Sequence, residues 1–280
     1  MLLDFLHNIV RRRYRAMGFE SRQMESSVGT LHYIRREHPG AAGTIVFVHG
    51  LGTSSSTWLK IFPNIRRTFR ILALDLPGFG FSTVKNPSGY CGLPDHIRAL
   101  EDFLGALGED PIILVGHSLG GWIGAHYAIR HPLRIGELIL VDAAGVYYSG
   151  VENLKDLFTL HSVKDTRRLL DNLWHQYPWY FKPFTRLIYR ELTRRHINEI
   201  VASTDNSNFL GEELSSLTMP VSIVWGKEDR AIPAGSVDVF KKFIPNANTF
   251  MIEHCGHVPQ LERPDEFASI LNTVLGGSRT

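Results

Sequence analysis

Short apolar runs alternate along the chain with longer amphipathic stretches. Several of the runs, such as TIVFVHG and PIILVGHS, are almost continuously apolar. Strands that are covered on both faces show this pattern, which is typical of a parallel sheet. The predicted strands are residues 30–35, 44–49, 70–75, 111–116, 137–142, 220–225 and 248–253.

Helical spacing of apolar residues fills most of the intervals between these strands. Pro264 suits the first turn of the last predicted helix, where its missing N–H costs nothing. Regular alternation of strands and helices predicts a doubly wound, mostly parallel α/β sheet that binds ligands at the carboxyl ends of its strands. The predicted helices are residues 57–67, 94–107, 119–130, 235–243 and 264–275.

The alternation breaks once, between residues 146 and 217. This stretch has no convincing strand, and helix-like spacing recurs at 151–160, 164–176 and 184–202. We therefore predict an α/β core made of residues 1–145 and 218–280 and an inserted helical cap at 146–217. An insertion that follows a strand end covers the ligand edge of the sheet.

The middle of this predicted cap is rich in aromatic residues. Trp174 and Trp179 are candidate substrate-binding residues, because an apolar lid would suit an acyl chain. The alternative is a surface subdomain whose aromatic residues form a small core of their own.

Residues 1–18 have apolar positions at helical spacing, close to a cluster of arginines, and predict an N-terminal amphipathic helix within residues 1–20. The basic cluster follows the apolar stretch, which is the wrong order for a secretory signal. The helix either packs on the body of the protein or lies in a membrane interface with its arginines near lipid phosphates.

Composition narrows the class of protein. The chain has 280 residues, of which 44% are hydrophobic and 21% charged, as in ordinary globular proteins. A net charge of +2 does not suggest a nucleic-acid-binding protein. Two cysteines are too few for a disulfide framework, and no apolar run reaches the roughly 18 residues of a membrane span. We expect a cytoplasmic protein, either fully soluble or peripheral to a membrane.

The segment GHSLGG, residues 116–121, carries the strongest chemical signal. It follows a predicted apolar strand and precedes a predicted helix, which is the context of a Gly-x-Ser-x-Gly nucleophile elbow. Side chains at Gly116 and Gly120 would collide with neighbouring backbone in so tight a turn. The pattern predicts that Ser118 is a catalytic nucleophile.

A serine hydroxyl needs an adjacent base, and the base needs a carboxylate to orient it. His257 follows the last predicted strand, and Gly256 lets the backbone turn back over the sheet. Asp229 follows the preceding predicted strand, which completes the order Ser, Asp, His along the chain. His254 remains an alternative base and Asp142 an alternative carboxylate.

Two backbone N–H groups are predicted to bind the oxyanion. One belongs to Leu119, directly after the nucleophile, and the other to Leu51 in the loop after the strand at 44–49. His49 in the same loop is expected to be structural. Val258, next to the predicted base, is a further candidate for substrate binding.

With these segments in place, the chain resembles the α/β-hydrolase superfamily from about residue 29 to residue 275. The joint occurrence of HGLGTS, LDLPGFG, GHSLGG, WGKEDR and CGHVPQLERPDEF carries the resemblance. Within the superfamily the chain is most similar to bacterial family V lipases and esterases and to monoacylglycerol-lipase-like hydrolases. The resemblance implies an α/β-hydrolase fold, no cofactor, and Ser118, Asp229 and His257 as catalytic triad.

The expected function is hydrolysis of a small ester with an apolar acyl chain, through an acyl-enzyme. A carbon–carbon or lactone hydrolase with the same triad is the alternative. Carbon–carbon hydrolases usually carry Asn before the serine and Trp after the histidine, where this chain has His117 and Val258. A ligand-binding scaffold without activity is the third possibility. No metal-ligand cluster is apparent, and the sequence leaves the oligomeric state open.

Overall fold

The backbone forms one sheet of eight strands in the order β1-β2-β4-β3-β5-β6-β7-β8. The structure, a computed structural model, describes residues 2–108 and 111–277, with side chains at 9–108 and 111–276. All neighbouring strands from β3 and β4 to β8 are parallel, whereas β1 and β2 pair antiparallel to their neighbours. The strands are β1 (Glu20–Glu25), β2 (Thr30–Arg36), β3 (Thr44–Val48), β4 (Arg70–Leu74), β5 (Ile112–His117), β6 (Ile135–Val141), β7 (Val221–Gly226) and β8 (Asn248–Ile252).

Helices cover both faces of this sheet, as the predicted doubly wound fold requires. The described helices are α1 (Leu2–Ala16), α2 (Leu93–Leu107), α3 (Leu119–Arg130), α4 (Glu152–Phe158), α5 (Val163–Leu173), α6 (Thr185–Arg194), α7 (Ile197–Ala202), α8 (Ser236–Phe243), α9 (Pro259–Glu262) and α10 (Pro264–Gly277). Two large groups of buried apolar side chains result. One contains Trp122 and Leu140, and the other contains Trp58 and Phe267.

All seven predicted strands are present, with ends that differ by one or two residues. No local pattern indicated β1, because five of its six residues, ESRQME, are polar and exposed. Strand β1 is an edge strand that pairs only with β2. Because one such strand needs no apolar face, it leaves no alternating pattern to detect.

The helix predicted at 57–67 is wrong. Two short 3₁₀ turns occupy this stretch, Ser55–Trp58 and Phe62–Asn64. Pro63 lies inside the predicted helix, and a proline there removes a backbone donor and clashes with the preceding turn. The apolar positions Trp58, Ile61 and Phe62 are nevertheless buried, so the spacing indicated burial correctly.

Helices α4 to α7 lie between β6 and β7, where the cap was predicted. The described residues of this region contain no strand, only an isolated bridge between Val146 and Leu210. The helix predicted at 184–202 is divided in two, because His196 adopts a left-handed conformation with φ +55°. The limits of the cap at 146 and 217 stay a prediction.

The second half of α1 packs on the body of the protein. Tyr14 is buried, and its hydroxyl forms a 3.0 Å hydrogen bond with the Ser55 hydroxyl. Val10 and Met17 contact the same apolar cluster. The side chains of Leu2, Leu3 and Leu6, which belong to the predicted apolar face, lie outside the described residues. No helix in the described part of the chain is long and apolar enough to cross a bilayer.

Candidate active site

Ser118 lies at a sharp turn between β5 and α3. Its φ of +52° is in a region that serine rarely adopts. A Cβ at Gly116 would lie 2.4 Å from the Gly120 carbonyl oxygen, and a Cβ at Gly120 would lie 2.3 Å from the Val48 carbonyl oxygen. Both glycines are therefore required by close backbone contacts, as expected for a nucleophile elbow.

The two predicted oxyanion donors lie next to this turn. Leu119 is the first residue of α3, and Leu51 follows β3 in the loop that contacts the serine. A Cβ at Gly50 would lie 3.0 Å from the Ser118 Cβ, which shows how closely this loop approaches. Leu51, Ser118 and Leu119 line one cavity of about 390 Å³, which we call the inner cavity.

His257 and Asp229 form a buried hydrogen-bonded pair. The His257 Nδ1 and Asp229 Oδ2 atoms are 2.6 Å apart, and both residues are at most 5% exposed. Asp229 Oδ1 accepts hydrogen bonds from the backbone N–H groups of Ala231 and Ile232, at 2.8 and 2.9 Å. With Nδ1–H donating to the carboxylate, Nε2 of the neutral ring is left as a proton acceptor.

The backbone of His257 is fixed next to the elbow. Burial lowers the pKa of His117 to about 3, so its ring is neutral. His117 Nε2–H donates to the His257 carbonyl oxygen at 2.7 Å, and the His257 N–H donates to Leu173 O at 2.8 Å. The residue before the predicted nucleophile thus holds the predicted base. The sequence around His117 does not predict this hydrogen bond, because its partner His257 lies 140 residues further along the chain.

A second carboxyl group lies beside the pair. Asp142, at φ +41°, accepts a 2.9 Å hydrogen bond from the Gly226 N–H through Oδ1, while Oδ2 has no donor among the other described residues. Burial, followed by the charge of Asp229, raises the pKa of Asp142 well above its usual range. Both effects favour the protonated form of the Asp142 carboxyl group. The alternative that Asp142 orients His257 is less favoured, since Asp229 holds the ring directly.

The other residues weighed in the sequence lie elsewhere. His254 borders an outer cavity, where its ring centroid is 5.8 Å from that of His175. His49 is structural, as expected, because its Nε2 accepts the Leu76 N–H at 2.9 Å. Cys255 is buried, and burial raises the pKa of its thiol far above the ordinary value, which makes it unreactive.

The three predicted substrate-binding residues occupy different places. Trp174 and Val258 line a second cavity of about 250 Å³, which we call the cap cavity. Leu51 and Phe158 line both cavities, so the two adjoin at the oxyanion loop. Trp179 is 78% exposed on the cap and, in the described structure, lines neither cavity.

Two charged residues that the sequence analysis did not assign attach the cap to the loops that carry His257 and Asp229. Glu262 accepts the Gly256 N–H through Oε1 and the His175 N–H through Oε2, both at 2.8 Å. Arg230, next to Asp229, donates to the carbonyl oxygen of Trp174 at 2.5 Å and to that of Asp171. No local pattern marks these partners, because each is decided by tertiary contacts.

One ligand atom from each of Asp142, Asp229 and His257 lies within 4.8 Å of the other two. Among the residues that the structure describes, these three side chains form the group that could hold a metal ion. Asp229 already accepts hydrogen bonds from the His257 ring and from two backbone N–H groups. The expectation of no metal and no cofactor stays a prediction.

A mostly parallel sheet, a serine on a strained elbow and a histidine–carboxylate pair after the last strands define the hydrolase class of doubly wound folds. The chain belongs to the alpha/beta hydrolase family, whose family model matches residues 45–270. It is a hydrolytic enzyme, and the resemblance drawn from its motifs is confirmed.

Curated relatives fall into two groups by name. The chain is 28% identical over 250 residues to a 2-hydroxy-6-oxo-2,4-heptadienoate hydrolase of Pseudomonas putida, covering 84% of this chain and 90% of the relative. It is 30% identical to Lipase 1 of Psychrobacter immobilis, covering 83% and 77%. Human monoacylglycerol lipase ABHD6 is 24% identical, covering 92% and 82%.

A solved structure is similar over the whole chain. It is described as a membrane phospholipase A, a novel bacterial virulence factor, and it superposes with a TM-score of 0.86 at 28% identity. The superposition covers 100% of this chain and 92% of the other.

Proposed function

We propose that this protein is a serine hydrolase of carboxylic esters with an apolar acyl chain. The observation that carries the proposal is the buried His257–Asp229 hydrogen bond of 2.6 Å at the same sheet edge as Ser118. Leu51 and Leu119 beside Ser118 supply backbone donors for an oxyanion. The lipase and phospholipase names of similar proteins support an ester as substrate.

In the first half of the reaction, His257 Nε2 removes the proton of the Ser118 hydroxyl while Ser118 Oγ attacks the ester carbonyl carbon. The resulting oxyanion accepts hydrogen bonds from the N–H groups of Leu51 and Leu119. The tetrahedral intermediate then collapses. The bond between carbon and the alkoxy oxygen breaks, the alcohol leaves with the proton from His257, and the acyl group stays on Ser118.

Water completes the reaction by the same route. His257 takes a proton from the water, whose oxygen attacks the acyl carbon. The bond to Ser118 Oγ breaks and Ser118 regains its proton from His257. Asp229 stabilises the imidazolium in both halves without becoming protonated itself.

The lining of the inner cavity suits a substrate with an apolar acyl group. Trp122, Phe158 and Phe209 are among the side chains that line it, together with Val201 and Ile232. The cap cavity, with Trp174 and Val258, then accommodates the alcohol portion or a second chain. This division favours acyl chains of short to medium length and monoacylglycerols as substrates.

The test is hydrolysis of p-nitrophenyl esters of graded chain length by the wild type and by Ser118→Ala. We expect kcat/KM to fall by three or more orders of magnitude in the variant, as for other triad nucleophiles. The variant Cys255→Ala is the control, because it removes the neighbouring thiol and should retain activity. Unchanged turnover in Ser118→Ala would exclude the serine mechanism. Failure of a fluorophosphonate probe to label the wild type would favour the inactive scaffold.

A carbon–carbon hydrolase is the second candidate, because the similar Pseudomonas putida protein is named as a dienoate hydrolase. Both reactions would use the same three side chains. His117 and Val258 differ from the residues that the carbon–carbon hydrolases usually carry at these positions. A ring-cleavage dienone and a homoserine lactone, assayed beside the esters, decide between the candidates by their relative kcat/KM.

A further inference from the structure

Large aromatic side chains are exposed at one place on the cap. Residues 179–184, which we call the aromatic tip, have the sequence WYFKPF and are all exposed. Trp179 is 78% exposed, Tyr180 53%, Phe181 41% and Phe184 50%. These are four of the seven large hydrophobic side chains that are exposed in the described residues. Such a cluster is costly in water and marks a surface that binds something apolar.

The rings of the aromatic tip contact one another. Tyr180 and Phe181 have ring centroids 4.8 Å apart, and Trp179 and Tyr180 have centroids 6.0 Å apart. A 3₁₀ helix, Trp179–Phe184, holds these rings in place, with Pro178 before it and Pro183 inside it. Because the two prolines restrict the backbone of this segment, less backbone entropy is lost when the surface inserts into another phase.

The segment that carries the tip has basic side chains and no acidic ones. Residues 174–190 contain Lys182, Arg186 and Arg190 and no aspartate or glutamate. All three cations are exposed. Exposed aromatic rings beside lysine and arginine suit a bilayer surface, where the rings enter the headgroup region and the cations meet lipid phosphates.

Helix α1 carries a second group of exposed basic side chains. Val10 and Tyr14 of α1 line a cavity together with Glu191 and Arg195 of the cap. The side chains of Arg11, Arg12, Arg13 and Arg15 are exposed. The exposed arginines of α1 therefore lie on a helix that approaches the cap at the end of α6.

An apolar route connects the tip with the candidate site. Phe181, at the tip, and Tyr177 line the cap cavity, with ring centroids 6.3 Å apart. The same cavity is lined by Leu51, the predicted oxyanion donor, and by Val258, next to the predicted base. An acyl chain that leaves a membrane at the tip would therefore contact apolar side chains all the way to the candidate catalytic residues.

We propose that the aromatic tip docks on the surface of an anionic lipid bilayer and admits lipid esters from it into the cap cavity. The admission of esters rests on the proposed function, whereas the docking does not. The tip residues insert below the headgroups, and Lys182, Arg186 and Arg190 bind lipid phosphates. Trp179, which lines neither cavity, thereby acquires a role in binding the membrane that holds the substrate.

The experiment measures sedimentation of the full-length protein with sucrose-loaded vesicles of phosphatidylcholine, with and without phosphatidylglycerol. We expect the wild type to bind the anionic vesicles at least tenfold more tightly than the neutral ones. The double variant Tyr180→Ser, Phe184→Ser should lose at least tenfold in binding to anionic vesicles. The double variant Arg186→Gln, Arg190→Gln should lose most of the preference for the anionic lipid.

Leu133→Ser is the matched control, because Leu133 is 89% exposed but lies between α3 and β6, outside the cap. It should bind vesicles as the wild type does. Thermal unfolding and hydrolysis of a water-soluble short-chain ester verify that the Tyr180, Phe184 variant is folded. Its hydrolysis of a long-chain ester embedded in vesicles should fall in parallel with binding.

The proposal is overturned if the wild type does not bind vesicles. It is also overturned if the Tyr180, Phe184 variant binds them as well as the wild type does, and the contact then belongs to another surface, such as α1. Equal binding of the wild type to both kinds of vesicle overturns the role of the cations. The variant Ser118→Ala separates the two proposals: it should bind vesicles normally, whether or not it hydrolyses esters.

Discussion

Two buried aspartates lie at neighbouring strand ends and have different hydrogen-bond partners. Asp229 receives two backbone N–H groups and the His257 ring. Asp142 receives one N–H group and has Asp229 beside it. Burial and the neighbouring charge of Asp229 disfavour a negative charge on Asp142, which raises the pKa of the carboxyl group that has fewer donors.

The stability of the protein should reflect the raised pKa of Asp142. Its pKa is higher in the folded than in the unfolded state, so ionisation in the unfolded chain favours unfolding as the pH rises above about 4. Asp142→Asn removes this penalty, keeps a donor toward Asp229 and tolerates positive φ. We expect the variant to be more stable than the wild type at pH 7, and we expect this difference in the free energy of unfolding to vanish near pH 4.

Urea denaturation between pH 4 and pH 8 measures this difference. Asp171→Asn, at an exposed position, is the control and should show little dependence on pH. A free energy of unfolding that responds equally to pH in Asp142→Asn and in the wild type would contradict the raised pKa of Asp142.

At the scale of elements, the turn from β5 to α3 depends on backbone contacts that leave no room for a Cβ. This turn places Ser118 between two rigid elements, and it brings the Gly120 backbone against the end of β3. The same contact therefore holds the nucleophile and the start of the oxyanion loop. Strain at Ser118 persists because the surrounding strands fix it.

Gly120→Ala should both destabilise the protein and reduce its activity. The new Cβ would lie 2.3 Å from the Val48 carbonyl oxygen, so the backbone must move. We expect a loss of about 1–3 kcal/mol in the free energy of unfolding, as for other overpacked sites. Displacement of the elbow should lower kcat/KM for a short-chain ester as well.

Gly105→Ala in α2 is the matched control, because nothing lies within 4 Å of the added Cβ. That variant should gain about 0.5–1 kcal/mol, since alanine favours a helix more than glycine does. Thermal unfolding and ester hydrolysis of both variants make the comparison. A Gly120→Ala protein with wild-type stability and activity would show that the elbow has more room than the structure gives it.

At the scale of the whole molecule, the cap and the core share the loop that carries His257. The His257 N–H binds Leu173 at the end of α5, and Glu262 binds backbone N–H groups on both sides of the boundary. A displacement of the cap at this point would consequently move the predicted base. The geometry of the site therefore depends on the cap as well as on the sheet.

Glu262→Ala should weaken this attachment. It leaves the N–H groups of Gly256 and His175 without an acceptor, and each buried, unpaired group costs about 1–3 kcal/mol. We expect a lower melting temperature together with a reduced kcat for ester hydrolysis. Glu262→Gln keeps one side-chain oxygen, so its melting temperature and its kcat should fall less than those of Glu262→Ala.

Glu266→Ala, at an exposed position of α10, is the control for this pair. This variant should have nearly the same melting temperature and the same kcat for ester hydrolysis as the wild type. A Glu262→Ala variant that melts earlier but retains the full kcat would show that Glu262 stabilises the boundary without positioning His257.

Much of the fold could be predicted from local patterns. The buried strands β3 to β8 each carry a run of apolar residues, and α3 begins at the predicted residue. Local signals failed where the chain is polar and at an edge, as in β1, and where Pro63 interrupts an apolar periodicity. Burial was predicted more reliably than helix type, because the positions of Trp58 and Phe62 are buried in either conformation.

The sequence by itself determined the order of the elements, the family and the identity of three candidate catalytic side chains, because these depend on short motifs and on the periodicity of apolar residues. Only the tertiary structure decided that burial beside Asp229 raises the pKa of Asp142, that His117 and Glu262 hold the His257 loop, and that Trp179 faces solvent. These are contacts between residues far apart in the chain. Their distances and burial follow from how the elements pack, which no local pattern of residue types encodes.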